Sequence, residues 1–576
     1  GEGHSCLEAA VAGTREIFFP VLATAATTVA AFAPLFFIDG IVGGFVFSIP
    51  FTVTIALAIS MVESTICLPA HVTRSLRPRR SGADGQAERR WFLLFRSAFR
   101  ALVKLLFKLR YATVLLFLAA LTGAGWYAVR EMEFLLFPTG AAERFQINVE
   151  LPIGFSLKAT SEKLAEIEEI VRGLPDEELE HYITQVGTAG RPPIGQAENY
   201  GMVMVFLSRH TDRWRNADEI VEGLRDQTEK LEGYEQIIYS VDAGGIPVGK
   251  PVVLRVVGPD DEKRRALSDA LEAELSEMRG ISDVTRDDFR GKEQLHIEID
   301  HARLASRGLT TGTVARNVRI ALQGAVVTSL RQGEEEVDFR LRLSEEARSD
   351  ETRLLDLPMP NNAGRLIRLG EVAKTVTRPG PNAYRHYQGE RSTTITAEVS
   401  TEVTTPVQAV NELRSRLDLS TEWPGMRLVV EGEAAQSEKS MFELIMAFAI
   451  ALLAVYFILV LLFDSYLQPL LVLVAIPFGL IGVVAALAIH REPLGLLAAT
   501  GVIGLTGIVV NDSLILVTRL KELARTEPVT ADLAAEGSAH RFRPVVLTTV
   551  TTVAGVLPLA YGLGGHDLYM APMALT

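Results

Sequence analysis

Asp512 is an ionisable residue in the middle of a long apolar stretch, residues 494–518. The first basic residue on its C-terminal side is Arg519, so roughly 10 Å of helix would separate the two. An ionisable side chain inside a membrane is costly and is by default a functional candidate. We interpret Asp512, with its polar neighbour Asn511, as a group that binds and releases protons. The alternative is a structural carboxylate that nearby Ser or Thr residues hydrogen-bond.

The next apolar stretch carries hydroxyl groups that could serve such a carboxylate. Threonine can hydrogen-bond a carboxylate or water between helices, although small residues also serve helix packing alone. The relay candidates on this stretch are Thr548, Thr549, Thr551 and Thr552. Glu63 is a secondary candidate; because it lies six residues before Pro69, the alternative is a side chain that only reaches the inner interface.

Other kinds of site are not indicated by the sequence. The 10 His residues are scattered and the only cysteines are Cys6 and Cys67, so we expect neither a metal cluster nor a disulfide framework. The phosphate-binding pattern GxxxxGK[ST] does not occur, and no nucleophile–base pair can be assigned. A net charge of −13 argues against nucleic acid as a partner. We therefore expect a protein without a cofactor that is not an enzyme.

Apolar stretches long enough, or nearly so, to cross the ~30 Å core of a lipid bilayer occur seven times. They are residues 17–38, 43–69, 111–129, 442–462, 469–489, 494–518 and 544–563. Lys and Arg concentrate at 74–110 and at the flanks of 519–543, which indicates that both segments are cytoplasmic. Counting crossings from either segment places residues 130–440 on the opposite side of the membrane.

The basic segment also contains an amphipathic pattern. Residues 91–109 combine apolar side chains at helical spacing with a basic face. Such a helix is typical of the membrane–water boundary. We expect it to lie on the inner leaflet.

The region between the two groups of apolar stretches is hydrophilic and predicts an α+β domain. Strand-like runs alternate with amphipathic helices in a β-α-β-β-α-β order, which favours ferredoxin-like units. One unit is expected near 143–243, and a second begins near 251–300. The order breaks at 301–390 and returns afterwards, which indicates a subdomain inserted into the second unit.

An internal repeat relates the two ends of the chain. Residues 20–34, PVLATAATTVAAFAP, match residues 544–558, PVVLTTVTTVAGVLP, with prolines and threonines aligned at a constant spacing of 524 residues. The alternative is chance similarity, but two unrelated apolar helices would match in Leu and Val instead. Both segments open a span that leaves the cytoplasm, so the repeated units would be parallel. We therefore expect a fragment that lacks ~430 N-terminal residues and the last span.

Four strings carry a family resemblance: ESTICLPAHV at 63–72, FDSYLQPLLVLVAIPFGLIGVV at 463–484, GLTGIVVNDSLILV at 504–517 and RFRPVVLTTVTTVAGVLPL at 541–559. With them, the chain resembles the resistance-nodulation-division (RND) permeases, in the hydrophobe/amphiphile efflux or acriflavine-resistance branch. The resemblance implies a polytopic α-helical membrane protein whose large α+β periplasmic domain is built of ferredoxin-like porter subdomains and an inserted docking subdomain.

The resemblance also implies a division of the chain. It would run as transmembrane helices ending the first repeat (1–72), a cytoplasmic linker with an interfacial helix (73–110), a helix opening the second repeat (111–130), porter subdomain 1 (131–250), porter subdomain 2 (251–300 and 391–433), a docking subdomain (301–390) and truncated transmembrane helices of the second repeat (434–576).

By the same resemblance, the function would be proton-driven efflux of small amphiphilic or toxic compounds. The protein would be a homotrimer in the bacterial inner membrane, with a periplasmic adaptor and an outer-membrane channel as partners. In well-studied members a Lys occupies the position of Asn511 and faces an Asp pair on the fourth span of the first unit. That Lys is absent here, and the equivalent of the Asp pair falls just upstream of residue 1.

The loop 187–199 matches a mobile loop on the substrate path of drug-exporting relatives. Its candidate residues are Gly187, Arg191, Pro192 and Pro193, and the loop lacks the aromatic residues that grip apolar drugs. A broad multidrug range is therefore less expected. Alternatives are export of metal ions, lipids or envelope components, and a membrane scaffold that does not transport. Met clusters would favour metal export, but Met202 and Met204 on one strand are typical of a core.

Overall fold

The computed structural model of the chain describes residues 6–75, 90–132, 134–136, 142–152, 154–188, 198–242, 249–288, 290–348, 350–381, 384–401, 403–525, 528, 530–563, 567 and 570–576. Two compact units can be distinguished. One consists of residues 286–394, and the other comprises residues 1–285 together with 395–576.

The N-terminal part is helical. Its helices are α1 (Cys6–Phe32), α2 (Gly40–Val46), α3 (Ser48–Val62), α4 (Leu68–Ser75), α5 (Arg90–Lys108) and α6 (Arg110–Glu131). A 3-10 turn at Ala33–Phe37 follows α1, and a π-helical turn at Glu63–Cys67 joins α3 to α4. The uncharged apolar runs within α1, α3 and α6 favour long helices because a helix satisfies its own backbone inside a bilayer.

The first ferredoxin-like unit follows. After the short β1 (Phe134–Leu135), its elements are β2 (Arg144–Glu150), α7 (Leu157–Arg172), β3 (Leu179–Val186), β4 (Tyr200–Leu207), α8 (Ala217–Thr228) and β5 (Gln236–Asp242). The antiparallel sheet has the order β3-β4-β2-β5. Ser156 caps α7, and Asn216 with Glu219 forms a capping box on α8. Alternate residues of β2, such as Phe145 and Ile147, are fully buried in the core.

A second sheet begins with β6 (Val252–Val257), α9 (Asp261–Glu277) and β7 (Ile281–Arg286). The chain then enters the unit 286–394. Its elements are β8 (Arg290–Ile299), α10 (His301–Ser306), α11 (Thr311–Gln323), β9 (Ala325–Gln332), β10 (Glu335–Leu341), α12 (Glu345–Arg348), α13 (Glu351–Leu355), β11 (Pro358–Pro360), β12 (Leu366–Arg368) and β13 (Ala373–Pro381).

The second sheet resumes after this insertion. Its remaining elements are β14 (His386–Tyr387), β15 (Glu390–Val399), α14 (Pro406–Arg416), α15 (Leu419–Glu422) and β16 (Arg427–Glu431). The strand order is β14-β15-β6-β16, with β7 also paired to β15. The sequence assigned 251–300 to this unit, but residues 290–299 form β8 and pair with β13 instead. The hydropathy pattern of residues 290–299 could not show which strand they pair with, because a strand's own sequence does not specify its partner. The porter and docking roles of these segments stay predictions.

The C-terminal part returns to apolar helices. These are α16 (Gly432–Phe463), α17 (Gln468–Leu473), α18 (Ala475–His490), then β17 (Leu494–Gly495), α19 (Leu496–Ala524), α20 (Ala531–Ala560) and α21 (Met570–Leu575). Within the described residues, 7 helical segments are long and apolar enough to cross a membrane, and each overlaps one of the predicted stretches. Their outer faces expose large apolar side chains such as Leu116, Phe457 and Leu461.

Candidate functional site

Helix α19, which carries Asn511 and Asp512, lies at the centre of the helix bundle. It contacts α1, α16, α18, α20 and α21. Its side chains are buried at intervals along most of its length, including Ile503, Val510 and Leu514. Many side chains of α19 therefore pack against a neighbouring helix, whereas Ile508 is exposed.

Two glycines bring α1 close to α19. A Cβ on Gly507 would lie 3.0 Å from the Cα of Thr28, and a Cβ on Gly504 would lie 2.5 Å from the ring of Phe32. A larger side chain at either position would push the helices apart. Sequence reasoning missed this contact, although small residues on an apolar helix are a known signal of close helix packing.

Asp512 lies next to α20. The hydroxyl Oγ1 of Thr548 is 3.2 Å from Asp512 Oδ1 and donates to it. The same hydroxyl lies 2.8 Å from the carbonyl oxygen of Val545, one turn earlier in α20. Because a hydroxyl has a single hydrogen, it serves the carboxylate and the carbonyl in alternation.

This geometry suits a carboxyl that changes its protonation state. An ionised Asp512 only accepts, so Thr548 donates to it; a protonated Asp512 can donate its own hydrogen to Thr548. In the second case the threonine hydrogen turns to Val545. Both states leave the hydroxyl paired, so a proton can come and go without leaving a polar group unsatisfied.

The other polar candidates occupy different surroundings. Asn511 lies one turn after Gly507, which places it on the α1 side of α19, about 100° away from Asp512. Thr549 donates to the Val545 carbonyl at 2.9 Å and Thr551 to the Leu547 carbonyl at 2.9 Å. Among the described contacts, Thr548 is the threonine of α20 that bonds to Asp512, although all four candidate threonines are exposed in this chain. The relay roles stay predictions.

The secondary candidates lie elsewhere. Glu63 is exposed at the start of the π-helical turn, away from α19. Gly187 has φ +81°, and a Cβ there would lie 2.6 Å from Leu157, so the position favours glycine. Arg191, Pro192 and Pro193 lie outside the described residues. Met202 is buried in β4, with only 6% of its surface exposed.

A buried ion pair that the sequence did not reveal joins the two ferredoxin-like units. Both terminal nitrogens of Arg225 lie 2.9 Å from the carboxylate of Asp283, which also accepts from the backbone N–H of Tyr239 at 3.1 Å. Burial lowers the pKa of Arg225, but the hydrogen bond and charge of Asp283 outweigh it and raise that pKa overall. Burial also raises the pKa of Tyr239 to about 12. This pair fixes the edge of β5 against β7.

Within the described residues, no cluster of three or more His, Cys, Asp or Glu side chains could hold a metal ion. The hydrogen bond between Thr548 and Asp512 is the described contact from which a proton-binding role can be argued.

Comparisons with known proteins identify the family. A sequence profile of the AcrB/AcrD/AcrF family matches residues 1–575. Multidrug resistance protein MdtC of Edwardsiella ictaluri is 25% identical over 588 residues, which cover 100% of this chain and 56% of that protein. Protein HelA of Legionella pneumophila is 27% identical over 415 residues, which cover 69% of this chain and 39% of that protein. The chain thus spans little more than half the length of the MdtC relative.

Solved structures show the same fold. A heavy metal efflux pump superposes with a TM-score of 0.80 at 20% sequence identity, over 96% of this chain and 56% of that one. The predicted fold class and the predicted resemblance to RND permeases are confirmed by the profile and this superposition. The chain belongs to the AcrB/AcrD/AcrF family.

Proposed function

We propose that this chain is part of an inner-membrane efflux permease, an antiporter that exports small amphiphilic or toxic compounds as protons enter the cell. Membership of the AcrB/AcrD/AcrF family supports a transporter. The observation that carries the proton coupling is the hydrogen bond from Thr548 to the half-buried Asp512, between two apolar helices. An ionisable side chain within an apolar membrane helix is a functional candidate by default.

In this proposal Asp512 is the titrating group and Thr548 its partner. Loss of the carboxylate charge turns the Thr548 hydroxyl toward Val545 and weakens the polar contact between α19 and α20. Because the relay Lys of related permeases is replaced by Asn511, no cation on α19 adjoins the carboxylate.

The remaining organisation follows from the family. We propose a homotrimer in the inner membrane, with the two ferredoxin-like units and the inserted unit in the periplasm. The basic segments at 74–110 and 519–543 support this orientation. A periplasmic adaptor and an outer-membrane channel would be the partners of a tripartite pump.

Metal export is the second candidate. The superposition on a heavy metal efflux pump favours it, but at 20% identity that likeness concerns the fold. Burial of Met202 supports a packing role for this thioether. Lipid or envelope export and a scaffold without transport are further outcomes for the experiment below.

The test is Asp512→Asn in the full-length gene, expressed in cells that lack related pumps and exposed to a panel of drugs and metals. Asp464→Asn is the matched control, because Asp464 is exposed at the end of α16 and has a φ of 50°, which Asn tolerates. We expect Asp512→Asn to lose the resistance that the wild type confers and Asp464→Asn to keep it. Transport that survives Asp512→Asn would contradict the proton role, and a wild type without any effect on the panel would favour a scaffold.

A further inference from the structure

The cytoplasmic end of α20 is tied to the amphipathic helix α5 by charges. Lys104 forms an ion pair with Asp532 in the first turn of α20. One turn earlier in α5 and one turn later in α20, Arg100 lies 3.6 Å from Glu536. The acidic residues come from α20 and the basic ones from α5, so the two pairs fix the helices in one register.

Aromatic rings extend this contact toward the membrane. The rings of Phe99 and Phe542 lie 4.7 Å apart, centre to centre. On its other side, α20 packs against α19 at Gly537, where a Cβ would lie 2.9 Å from Leu520. Residues 531–543 of α20 are therefore held between α5 and α19. We call this part the clasped arm.

The rest of α20 has fewer neighbours in this chain. Leu547 and Val550 are 60% and 57% exposed, and Thr548 between them is exposed as well. Pro544 separates this part from the clasped arm, and it lacks the N–H that would bond to the carbonyl of His540. A helix can bend at such a point. The position of Thr548, one turn beyond Pro544, therefore depends on how the clasped arm is held.

We propose that Lys104 and Asp532 are positioning residues for the hydrogen bond between Thr548 and Asp512. The surface helix α5 fixes the clasped arm, and the clasped arm sets where α20 continues after Pro544. Neither residue touches Asp512, so their effect passes through α20. The transport readout of this inference rests on the proposed function, whereas its structural readout does not.

The test compares four variants of the full-length protein: Lys104→Glu, Asp532→Lys, the double charge swap, and Lys108→Glu. Lys108 lies one turn after Lys104 on the same helix and has no ion pair among the described residues, so it is the matched control. The structural readout is the infrared band of the Asp512 carboxyl in purified protein, assigned by its loss in Asp512→Asn. The functional readout is the efflux rate across a range of pH.

An exposed ion pair is worth up to about 1 kcal/mol, so we expect each single reversal to lower efflux about two- to fivefold. Both reversals should also change the carboxyl band and the pH profile, while the charge swap restores them and Lys108→Glu leaves them unchanged. An unchanged band in Lys104→Glu, or equal losses in Lys104→Glu and Lys108→Glu, would overturn the inference. Failure of the proposed function would give a different result. Efflux would then survive Asp512→Asn, while the carboxyl band would still respond to the charge reversals at Lys104 and Asp532.

Discussion

Helices α1 and α20 carry the same proline–threonine pattern, yet they meet different surfaces of α19. Thr24 and Thr548 occupy equivalent positions, and each donates to the carbonyl three residues earlier at 2.8 Å. Opposite α1, the central helix presents glycines that allow close packing. Opposite α20 it presents a carboxylate, which Thr548 also reaches.

The difference shows that the threonine pattern itself does not determine chemistry. Thr27 is fully buried and its hydroxyl bonds to its own helix, so this copy of the pattern serves packing. The equivalent Thr551 makes the same bond within α20 but is exposed. What turns one copy into a candidate proton site is the residue that α19 places opposite.

The largest effect is expected from moving the carboxylate to the other side of α19. The double variant Asn511→Asp with Asp512→Asn keeps composition and charge but turns the acid toward α1. There the carboxylate lies on the face of α19 that packs against α1, and its hydrogen bond with Thr548 is lost. We expect efflux at the level of cells without the gene, as in Asp512→Asn alone. Efflux near the wild-type rate would show that the side of α19 is immaterial.

A smaller effect, on stability, is expected on the face of α19 that packs against α1. Gly507→Ala places a Cβ 3.0 Å from the backbone of Thr28, so α1 must shift. Overpacking of this kind costs about 1–3 kcal/mol, which thermal unfolding of the purified protein would detect as a lower melting temperature. Gly555→Ala on α20 meets nothing within 4 Å and is the control. Equal melting temperatures of the two variants would refute the close approach of α1.

The equivalent residues Thr24 and Thr548 allow the most direct comparison of variants between α1 and α20. Thr548→Val removes a hydrogen bond to Asp512, worth about 1 kcal/mol or roughly fivefold in rate, and should lower efflux and alter its pH profile. Thr24→Val removes the same bond to its own helix but, among the described residues, no contact with an acid, so efflux should stay unchanged. Efflux assays on both variants at several pH values test whether only the threonine of α20 affects transport. Equal losses would mean that both helices act alike.

The smallest effect is expected at Thr27. Valine has nearly the same shape, and the hydroxyl bonds only to its own helix, at the carbonyl of Thr24. The Thr24 carbonyl also keeps its bond from Thr28, so Thr27→Val should change efflux by less than about twofold. A large loss at this position would reveal a polar role for α1 that the structure does not show.

The fold could be predicted largely because its signals are local. Long uncharged runs gave the apolar helices, and alternating strands with capped helices, such as the one beginning after Ser156, gave the ferredoxin-like order. The insertion was expected from the broken rhythm. Its start was misplaced, because the pairing of β8 with β13 depends on residues about 80 positions apart.

The site could be predicted only in part. An acid in an apolar stretch is visible in sequence, so Asp512 could be named as a candidate, and its role stays a prediction. Its partner was one of four threonines, and nothing local distinguished Thr548 from Thr549. The same limit applies to the glycines opposite α1, to the Arg225–Asp283 pair and to the contact of Phe99 with Phe542. Each joins elements that are distant in sequence, and the choice of partner is made by packing.

The central claim is that Asp512 changes protonation while hydrogen-bonded to Thr548. Infrared difference spectra of the purified protein between acidic and alkaline pH test it most directly. We predict a carboxyl band that is absent in Asp512→Asn, displaced in Thr548→Val and unaltered in Thr24→Val. Identical spectra for the wild type and Asp512→Asn would contradict the claim.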